Sequence, residues 1–258
     1  ERMRGALPLA LRRPVFGLLG RVYPKADWAP RVLRAKATFQ ALSRDAVEAY
    51  FTGVSILRDD ARRALYSGSF RAQLGGYNAV EVFHRHAARA DVEDPLALVQ
   101  YLDLKTYLVG DINTKVDRAS MAHSLEVREP LMDHPLVEWL ASLPSSLKLR
   151  GQEGKYLLKK AMEAHLPKEI LYRPKRGFAV PLARWFRGPL RDRVRAAVLG
   201  PRLLDTGFFN RAQLQRLVDQ HQSGLRDHSA VLWSLLMFDA FVRRTELNEP
   251  AGVLRQAS

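Results

Sequence analysis

The stretch "DINTKVDRASMAHSLEVREPLMD", from Asp111 to Asp133, places charged and core-type residues side by side along one run of the chain. A surface helix separates its charged and apolar residues onto opposite faces. Here the two kinds alternate too closely to form a clean apolar stripe. We interpret Asp111 to Glu126 as one helix, followed by a turn around Pro130. The pattern predicts that this helix holds charge against the chain's own core.

Two explanations fit such charge. On a helical wheel, Asp111, Lys115 and Arg118 share one face, because they follow each other at i, i+4 and i+7. Charges beside core residues are costly unless they are paired, so one explanation is an ion-pair network between helices. The other is a polar wall facing a ligand cavity, to which Glu126 and Arg128 in the following turn would contribute. Both remain open at this point.

The composition is that of an ordinary globular protein, with 47% hydrophobic and 26% charged residues among 258. The net charge of +14 favours anionic partners. The arginines are spread over many segments, however, so we expect solvated helix faces and no specific nucleic-acid site. The chain contains no cysteine, which excludes disulfides, thiolate metal sites and a cysteine nucleophile, and we expect a cytoplasmic location.

The two ends carry no targeting or membrane signal that we can identify. "SAVLWSLLMFDAFV", the longest apolar run near the end, is broken by Asp239 and predicts a buried helix, so we expect no membrane span. The start, "ERMRGALPLALRRPVFG", lacks an initiator methionine, and its apolar run is interrupted by Arg12, Arg13 and Pro14. We interpret the chain as a piece of a longer protein.

Helical periodicity runs almost without interruption from Ala29 to Glu246 and predicts a mainly α fold. Asp94 and Pro95 predict an N-cap followed by proline at the first helical position. The only strand candidate is "SLKLR", Ser146 to Arg150, and no hairpin signal is present. We predict one helical domain over residues 1–258, with an N-terminal helical segment at 1–57, a core at 58–246 and a flexible tail at 247–258.

Two lysines lie in unusual local settings. "YRPKRGFAVPLARW" begins at Tyr172 and places Lys175 between Pro174 and Gly177, where a rigid yet closely approachable loop suits charge stabilisation of a phosphate. A basic surface loop is the alternative. In "GQEGKYLLKKAMEAHLP", Lys155 falls in the first turn of a predicted helix and opposes the helix dipole. That small penalty suggests a specific partner, and a simple exposed lysine is equally compatible.

In their order and spacing, these pieces resemble a known family. The segments "KVDRASMAHSLEVREPLMD" and "LPSSLKLRGQEGKYLLKKAMEAHLPKEILYRPKRGFAVPLARW" look like the C-terminal half of the glutamine-hydrolysing asparagine synthetases. The resemblance is strong from about Asp94 to Trp185. The flank "YPKADWAPRVLRAKATFQAL" is similar to amidotransferases associated with exosortase and exopolysaccharide gene clusters.

The resemblance implies an ATP-dependent ligase. In this family, a glutaminase domain with a cysteine nucleophile supplies ammonia to a synthetase domain, where ATP with Mg²⁺ adenylates a carboxylate and ammonia attacks the acyl-adenylate. The implied fold is the helical C-terminal portion of an adenine nucleotide alpha hydrolase-like (ATP pyrophosphatase) synthetase domain. The implied partners are ATP, an acidic acceptor such as aspartate, ammonia from glutamine, a missing N-terminal half and a second copy in a homodimer.

Individual residues match the family's motifs. Lys175 matches a lysine that contacts the phosphates, and we assign it, with Asp117 and Glu126, to catalysis. We assign Asp111, Arg118, Arg128 and Lys155 to substrate or nucleotide binding, and no residue to a metal. Asp117, Arg118, Glu126, Arg128 and Asp133 together match the family's D-R-x-x-M…E-x-R-x-P-x-x-D signature.

The chain also departs from the family. The Ser-Gly-Gly-x-Asp-Ser phosphate loop does not occur, and "LGGYN" at 74–78 lacks its serine and aspartate. We therefore expect the phosphate-loop strand region to be absent, no ATP or Mg²⁺ to be bound to this piece, and the piece alone to be inactive. A non-catalytic helical scaffold or binding module in polysaccharide synthesis is the alternative function, and a nucleic-acid-binding helical domain is a third.

Overall fold

A computed structural model of the chain describes residues 8–23, 36–174 and 180–248. These residues are mostly helical, as the periodicity predicts, and their contacts group them into two compact units. The first unit contains the described residues up to Val54 and those from Asn78 to Pro174. The second contains Ser55 to Tyr77 and the described residues from Val180 onward. That the chain forms a single domain stays a prediction.

The first unit is built from short helices and one small hairpin. Its elements are α1 (Leu9–Val22), α2 (Lys36–Leu42), α3 (Ala46–Val54), α6 (Val80–Ala87), α7 (Pro95–Lys105), a π-helix (Leu108–Asn113), α8 (Thr114–Met121), a 3-10 turn (Pro130–Met132), α9 (His134–Ser142), α10 (Ser145–Lys148), β1 (Leu149–Arg150), β2 (Glu153–Gly154), α11 (Tyr156–Met162) and α12 (Lys168–Leu171).

Helix α1 packs against α2 through a buried arginine. The guanidinium of Arg12 donates a 2.8 Å hydrogen bond to the carbonyl of Leu42, and Phe16 stacks on Phe39 with ring centroids 6.1 Å apart. Periodicity alone does not reveal α1, because Pro14 and two arginines interrupt its apolar run. Of the helix expected from Ala29 onward, residues 29–35 lie outside the described part of the chain.

Helix α7 begins as the sequence predicts. The carboxylate of Asp94 accepts from the backbone N–H of Ala97 at 2.8 Å, and Pro95 occupies the first helical position. Leu102 on this helix is fully buried. The helix ends at Lys105, and the π-helix begins three residues later at Leu108.

The helix predicted from Asp111 to Glu126 is wrong in its extent. The chain passes from the π-helix into α8, and α8 ends at Met121. Ser124 takes a left-handed conformation with φ +57°, and the N–H of Leu125 donates to the carbonyl of Ser120 at 3.0 Å. This is a Schellman ending, which usually carries glycine at the left-handed position. Because serine occupies that position, no helix stop signal is visible in the sequence.

The strand predicted at Ser146 to Arg150 is mostly helical. Only Leu149 and Arg150 are strand residues, and they pair antiparallel with Glu153 and Gly154. The two-residue turn between them begins with Gly151 at φ +65°, a glycine position typical of tight hairpins. This hairpin is not predicted from the sequence, because its two-residue strands are too short to show an alternation of apolar and polar residues.

The second unit is a helical bundle around one hydrophobic core. Its elements are α4 (Asp59–Leu65), α5 (Gly68–Gln73), α13 (Leu182–Arg187), α14 (Arg191–Val198), α15 (Pro201–Asp205), α16 (Arg211–Gln222) and α17 (Ser229–Asn248). The core contains the fully buried side chains of Phe186, Val194, Val198, Leu203, Leu214, Val218 and Leu232.

The segment from Asp59 to Gly75 forms two helices, although helical periodicity continues through it. The backbone N–H of Ser67 donates to the carbonyl of Phe208 at 2.8 Å, and Tyr66 forms an isolated β-bridge with Phe209. Ser67 then caps α5 by accepting from the N–H of Phe70 at 3.1 Å. Long-range contacts of this kind have no signature in the local sequence. The pattern of apolar residues therefore does not show the break between α4 and α5.

Helix α17, predicted as a buried helix, is buried on one face and exposed on the other. Val231, Leu232, Leu235 and Leu236 lie in the core, whereas Phe241 is 60% exposed. Asp239 pairs with Arg202 of α15 at 3.3 Å. Among the described residues, no helix is both long and apolar enough to cross a bilayer.

Candidate active site

All the predicted site residues that the structure describes belong to the first unit. Lys175, to which we assign charge stabilisation, lies outside the described residues. Asp111 is in the π-helix, and Asp117 and Arg118 are in α8. Glu126 and Arg128 lie in the irregular stretch that follows, and Lys155 lies between β2 and α11. Short π-helical segments are rare and occur frequently at functional sites, which draws attention to Asp111.

Within the described part of the chain, the ion pairs of the predicted site residues are local. Lys115 Nζ lies 3.3 Å from Asp111 Oδ1, and Arg128 forms an ion pair with Glu126. In the described part of the chain, no ion pair or side-chain hydrogen bond joins Asp117, Arg118 or Lys155 to another predicted site residue. Their grouping into one site stays a prediction.

The interpretation that this charge lies against the chain's own core is wrong. The side chains of Glu126 and Arg128 are 67% and 85% exposed. The apolar side chains of Leu125 and Met121 are 62% and 54% exposed. Charged and apolar groups therefore mix on an open surface of the first unit. This surface is accessible to a ligand. Within the described residues, the ion pairs of this stretch join near neighbours in sequence and do not reach other helices.

Lys155 lies in a strained turn between the hairpin and α11. This residue is in the left-handed region at φ +59°, a conformation that is uncommon and costly for a lysine. It connects the hairpin to α11, and the ammonium of Lys159 one turn later contacts Glu153 of β2 at 2.9 Å. Backbone strain of this kind persists only where the surroundings hold it, and it often marks functional sites.

The same helix anchors the chain that leads toward Lys175. The hydroxyl of Tyr172 donates a 2.5 Å hydrogen bond to Oε1 of Glu163, which also accepts from Lys160 at 2.9 Å. The ammonium of Lys159 lies 5.0 Å from the centre of the Tyr172 ring. The Tyr172 hydroxyl, and then Lys160, lower the pKa of the Glu163 carboxyl. The chain is thus fixed three positions before Lys175.

The anchoring residues Lys160, Glu163 and Tyr172 were not predicted from the sequence. Lys160 and Glu163 are a helical i, i+3 pair that periodicity could have suggested. The contact of Tyr172 with Glu163 spans nine positions and two helices, so no local pattern announces it.

Tyr50 holds α3 against the end of α7, just before the π-helix. Its hydroxyl donates a 2.5 Å hydrogen bond to Asp103 Oδ1. Burial, and then this hydrogen bond to a carboxylate, raises the pKa of the Tyr50 phenol well above its usual range. The Tyr50 hydroxyl therefore stays protonated at any physiological pH. Its hydrogen bond to Asp103 fixes the end of α7, which precedes the π-helix that contains Asp111.

A further tie joins the start of α7 to α10. The hydroxyl of Ser145 donates to Asp94 Oδ1 at 2.6 Å. This hydrogen bond, together with the capping N–H of Ala97, lowers the pKa of the Asp94 carboxyl. One carboxylate thus caps a helix and connects it to the segment that leads into the hairpin. For a metal ion, in contrast, the described residues offer no cluster of three or more acidic or histidine side chains.

Comparison with known proteins agrees with the resemblance in the sequence. The family model described as asparagine synthase matches residues 7–243. A protein of Mycobacterium tuberculosis (strain ATCC 25618 / H37Rv), which carries the provisional name of a glutamine-hydrolysing asparagine synthetase, is 39% identical over 149 residues, 56% of this chain and 22% of that protein. No significant match was found among solved structures.

Other relatives differ in name. Asparagine synthetase [glutamine-hydrolyzing] 1 of Bacillus subtilis (strain 168) is 32% identical over 140 residues, 54% of this chain and 22% of that protein. Amidase chyE of Penicillium rubens is 29% identical over 172 residues, 62% of this chain and 25% of that protein. The matched part thus spans about a quarter or less of these relatives. Because the family model covers most of the chain, the chain belongs to the asparagine synthase family.

Proposed function

We propose that this chain contributes to an ATP-dependent, glutamine-hydrolysing amidotransferase that adenylates a carboxylate and transfers ammonia to it. The observation that carries the proposal is the family match over residues 7–243, within which the charged signature and the Lys175 loop occur in the family's order. The open, charged surface from Asp111 to Asp133 is consistent with a substrate-facing role.

The reaction has two steps. A carboxylate oxygen attacks the α-phosphorus of ATP, and pyrophosphate leaves with the bonding electrons. Ammonia then attacks the acyl carbon, AMP leaves with the bridging oxygen, and the nitrogen loses a proton. Negative charge grows on the departing phosphates in both steps, so fixed cations aimed at them lower the barrier.

The residue roles follow from charge and position. Lys175 stabilises the charge that develops on the phosphates, and Arg118, Arg128 and Lys155 supply further cations for the nucleotide or the acceptor. Asp117 and Glu126 are the carboxylates nearest the chemistry, and Asp111 contributes to substrate binding. Mg²⁺ would accompany the phosphates of ATP, as the resemblance to the family implies.

The anchored segment before Lys175 supports its assignment. A catalytic cation acts well only when its position is fixed before the reaction. The Tyr172–Glu163 hydrogen bond and the Lys159 contact fix the chain at Tyr172. Relatives carry the names of both asparagine synthetases and an amidase, so aspartate is the first acceptor to test and not the only one.

Pyrophosphate release tests the proposal. The complete natural protein should release pyrophosphate from ATP only when a carboxylate acceptor is present, with glutamine or ammonium as nitrogen donor. A panel of acidic acceptors, aspartate first, identifies the substrate. The isolated 258-residue chain should release none. Carboxylate-independent hydrolysis of ATP, or activity of the isolated chain, would contradict the proposal, and complete inactivity would favour the scaffold alternative.

A further inference from the structure

The second unit contains a small cavity of about 120 Å³ between α4, α5 and the turn at Gly76. Its lining includes Arg62, Arg63, Arg71, Tyr66, Tyr77 and Asp59. None of these residues belongs to the predicted active site, which lies in the first unit. We propose that this cavity binds the phosphate group of a small molecule.

The charges of the lining favour an anion. Three guanidinium groups face one carboxylate, which leaves an excess of two positive charges. Asp59 accepts from Arg62 at 2.5 Å and lies 3.0 Å from Nε of Arg63, so it orders part of the basic wall. Of Asp59, Arg62 and Arg63, Arg62 has the least exposed side chain, at 17%, and this burial reduces the screening of its charge by water. A wall of ordered arginines is an arrangement typical of phosphate recognition.

The two outer arginines retain donors for a ligand. Among the described residues, Arg63 contacts Asp59 through Nε, and Arg71 donates from Nε to the carbonyl of Ser67 at 3.3 Å. A guanidinium carries five N–H donors in a planar fork. The contacts through Nε orient each fork without using the four N–H groups of its two terminal nitrogens.

A phosphate fits the cavity better than a carboxylate does. A phosphate monoester carries a charge of about −1.5 to −2 at pH 7 and three acceptor oxygens, which matches an excess of two positive charges. A carboxylate brings one charge and two oxygens. The tyrosine hydroxyls of Tyr66 and Tyr77 add neutral donors. The volume is below the roughly 300 Å³ at which pockets for drug-sized ligands begin, so a small phosphate is favoured over a whole nucleotide.

Phosphorus NMR of the 258-residue chain measures the binding without any need for turnover, so its outcome is independent of the proposed enzyme activity. Inorganic phosphate and glycerol phosphate are titrated separately at constant ionic strength, with acetate and chloride as competing anions. We expect saturable binding that acetate and chloride displace weakly. Tighter binding of glycerol phosphate would identify an organic phosphate, and tighter binding of inorganic phosphate would identify the free ion.

The variants test the location. Arg63→Gln and Arg71→Gln should each weaken phosphate binding about tenfold, the effect of losing a charge-assisted hydrogen bond. Arg216→Gln removes the same charge from an exposed position of α16 in the same unit and should leave the affinity unchanged. Circular dichroism checks folding, and since Arg63 and Arg71 are both exposed, at least one variant should fold. Unsaturable binding, acetate binding as tight as phosphate, or equal loss in Arg216→Gln would overturn the proposal.

Discussion

The Tyr172 hydroxyl and the Glu163 carboxylate form a 2.5 Å hydrogen bond that joins α11 to the chain leading toward Lys175. The bond is on the surface, where it adds little to the stability of the fold. Because it holds the chain three positions before Lys175, it acts as a brace for the segment that contains this lysine. Removing it should therefore change the placement of Lys175 more than the folding of the protein.

Tyr172→Phe tests this brace. The variant keeps the ring beneath Lys159 and removes only the hydroxyl, so we expect kcat of the complete protein to fall several-fold with little change in melting temperature. Tyr23→Phe removes a hydroxyl from a tyrosine that packs on Phe39 in the N-terminal helices and serves as the control. Unchanged kcat in Tyr172→Phe would show that the brace does not position the loop.

Ser124 provides a prediction about stability alone. Its left-handed conformation costs roughly 1–2 kcal/mol relative to glycine. Ser124→Gly should therefore stabilise the chain by roughly 0.5–1 kcal/mol in urea unfolding, after the greater entropy of glycine in the unfolded chain is subtracted. Ser124→Ala retains the β-carbon and should give no gain. Equal effects of the two substitutions would contradict the assignment of strain at this position.

His221 should make the second unit sensitive to acid. The side chain is fully buried, and its Nδ1 accepts from the N–H of His228 at 3.1 Å. Burial, and then the charge of Arg187, lowers the pKa of the imidazole below 6.5. Protonation would also place a second hydrogen against the N–H of His228. Asp227, 3.6 Å from Nδ1, offsets only part of this cost.

The direction of the pH dependence follows from the lowered pKa. The unfolded chain binds a proton near pH 6.5, and the folded chain binds it only at lower pH. Stability is therefore full above about pH 6.5 and falls as the pH drops toward the folded-state pKa. Urea unfolding between pH 7.5 and 5 measures the slope. His221→Gln should reduce the slope, whereas His165→Gln, at an exposed position, should preserve it.

The fold class and the order of most helices could be predicted from the sequence because apolar periodicity and capping residues act locally. The N-cap at Asp94 is an example. The break at Ser67 depends on Phe208, which is more than a hundred residues away, and the stop at Ser124 depends on a serine in a glycine position. Local patterns contain neither.

The candidate site could be predicted only as a set of residue types. Motif order named Asp117, Arg118, Glu126 and Arg128, but the expectation that the charge of this stretch lies against a core is wrong, because Glu126 and Arg128 are largely exposed. Helix α8 ends at Met121, five residues before the predicted end at Glu126, so a helical wheel does not describe the positions beyond Met121. The anchoring contact of Tyr172 is tertiary and was invisible to the sequence.

Lys175 is the most consequential single residue in the proposed mechanism. Lys175→Ala in the complete protein should lower kcat by roughly 10²-fold or more, because a charge-stabilising donor is lost in the transition state. Lys175→Arg should not fully restore the rate, since its planar fork presents donors differently. Melting temperatures should barely change. Wild-type turnover in Lys175→Ala would reject the assignment.

The transfer of a labelled oxygen tests adenylation itself. The complete protein is incubated with ATP, a nitrogen donor and the accepted carboxylate carrying ¹⁸O, and the nucleotide products are analysed by mass spectrometry. If the carboxylate attacks the α-phosphorus, the bridging oxygen leaves with AMP, and AMP should carry one ¹⁸O for each amide formed. Label in inorganic phosphate with ADP as the product, or amide formation without labelled AMP, would contradict the account.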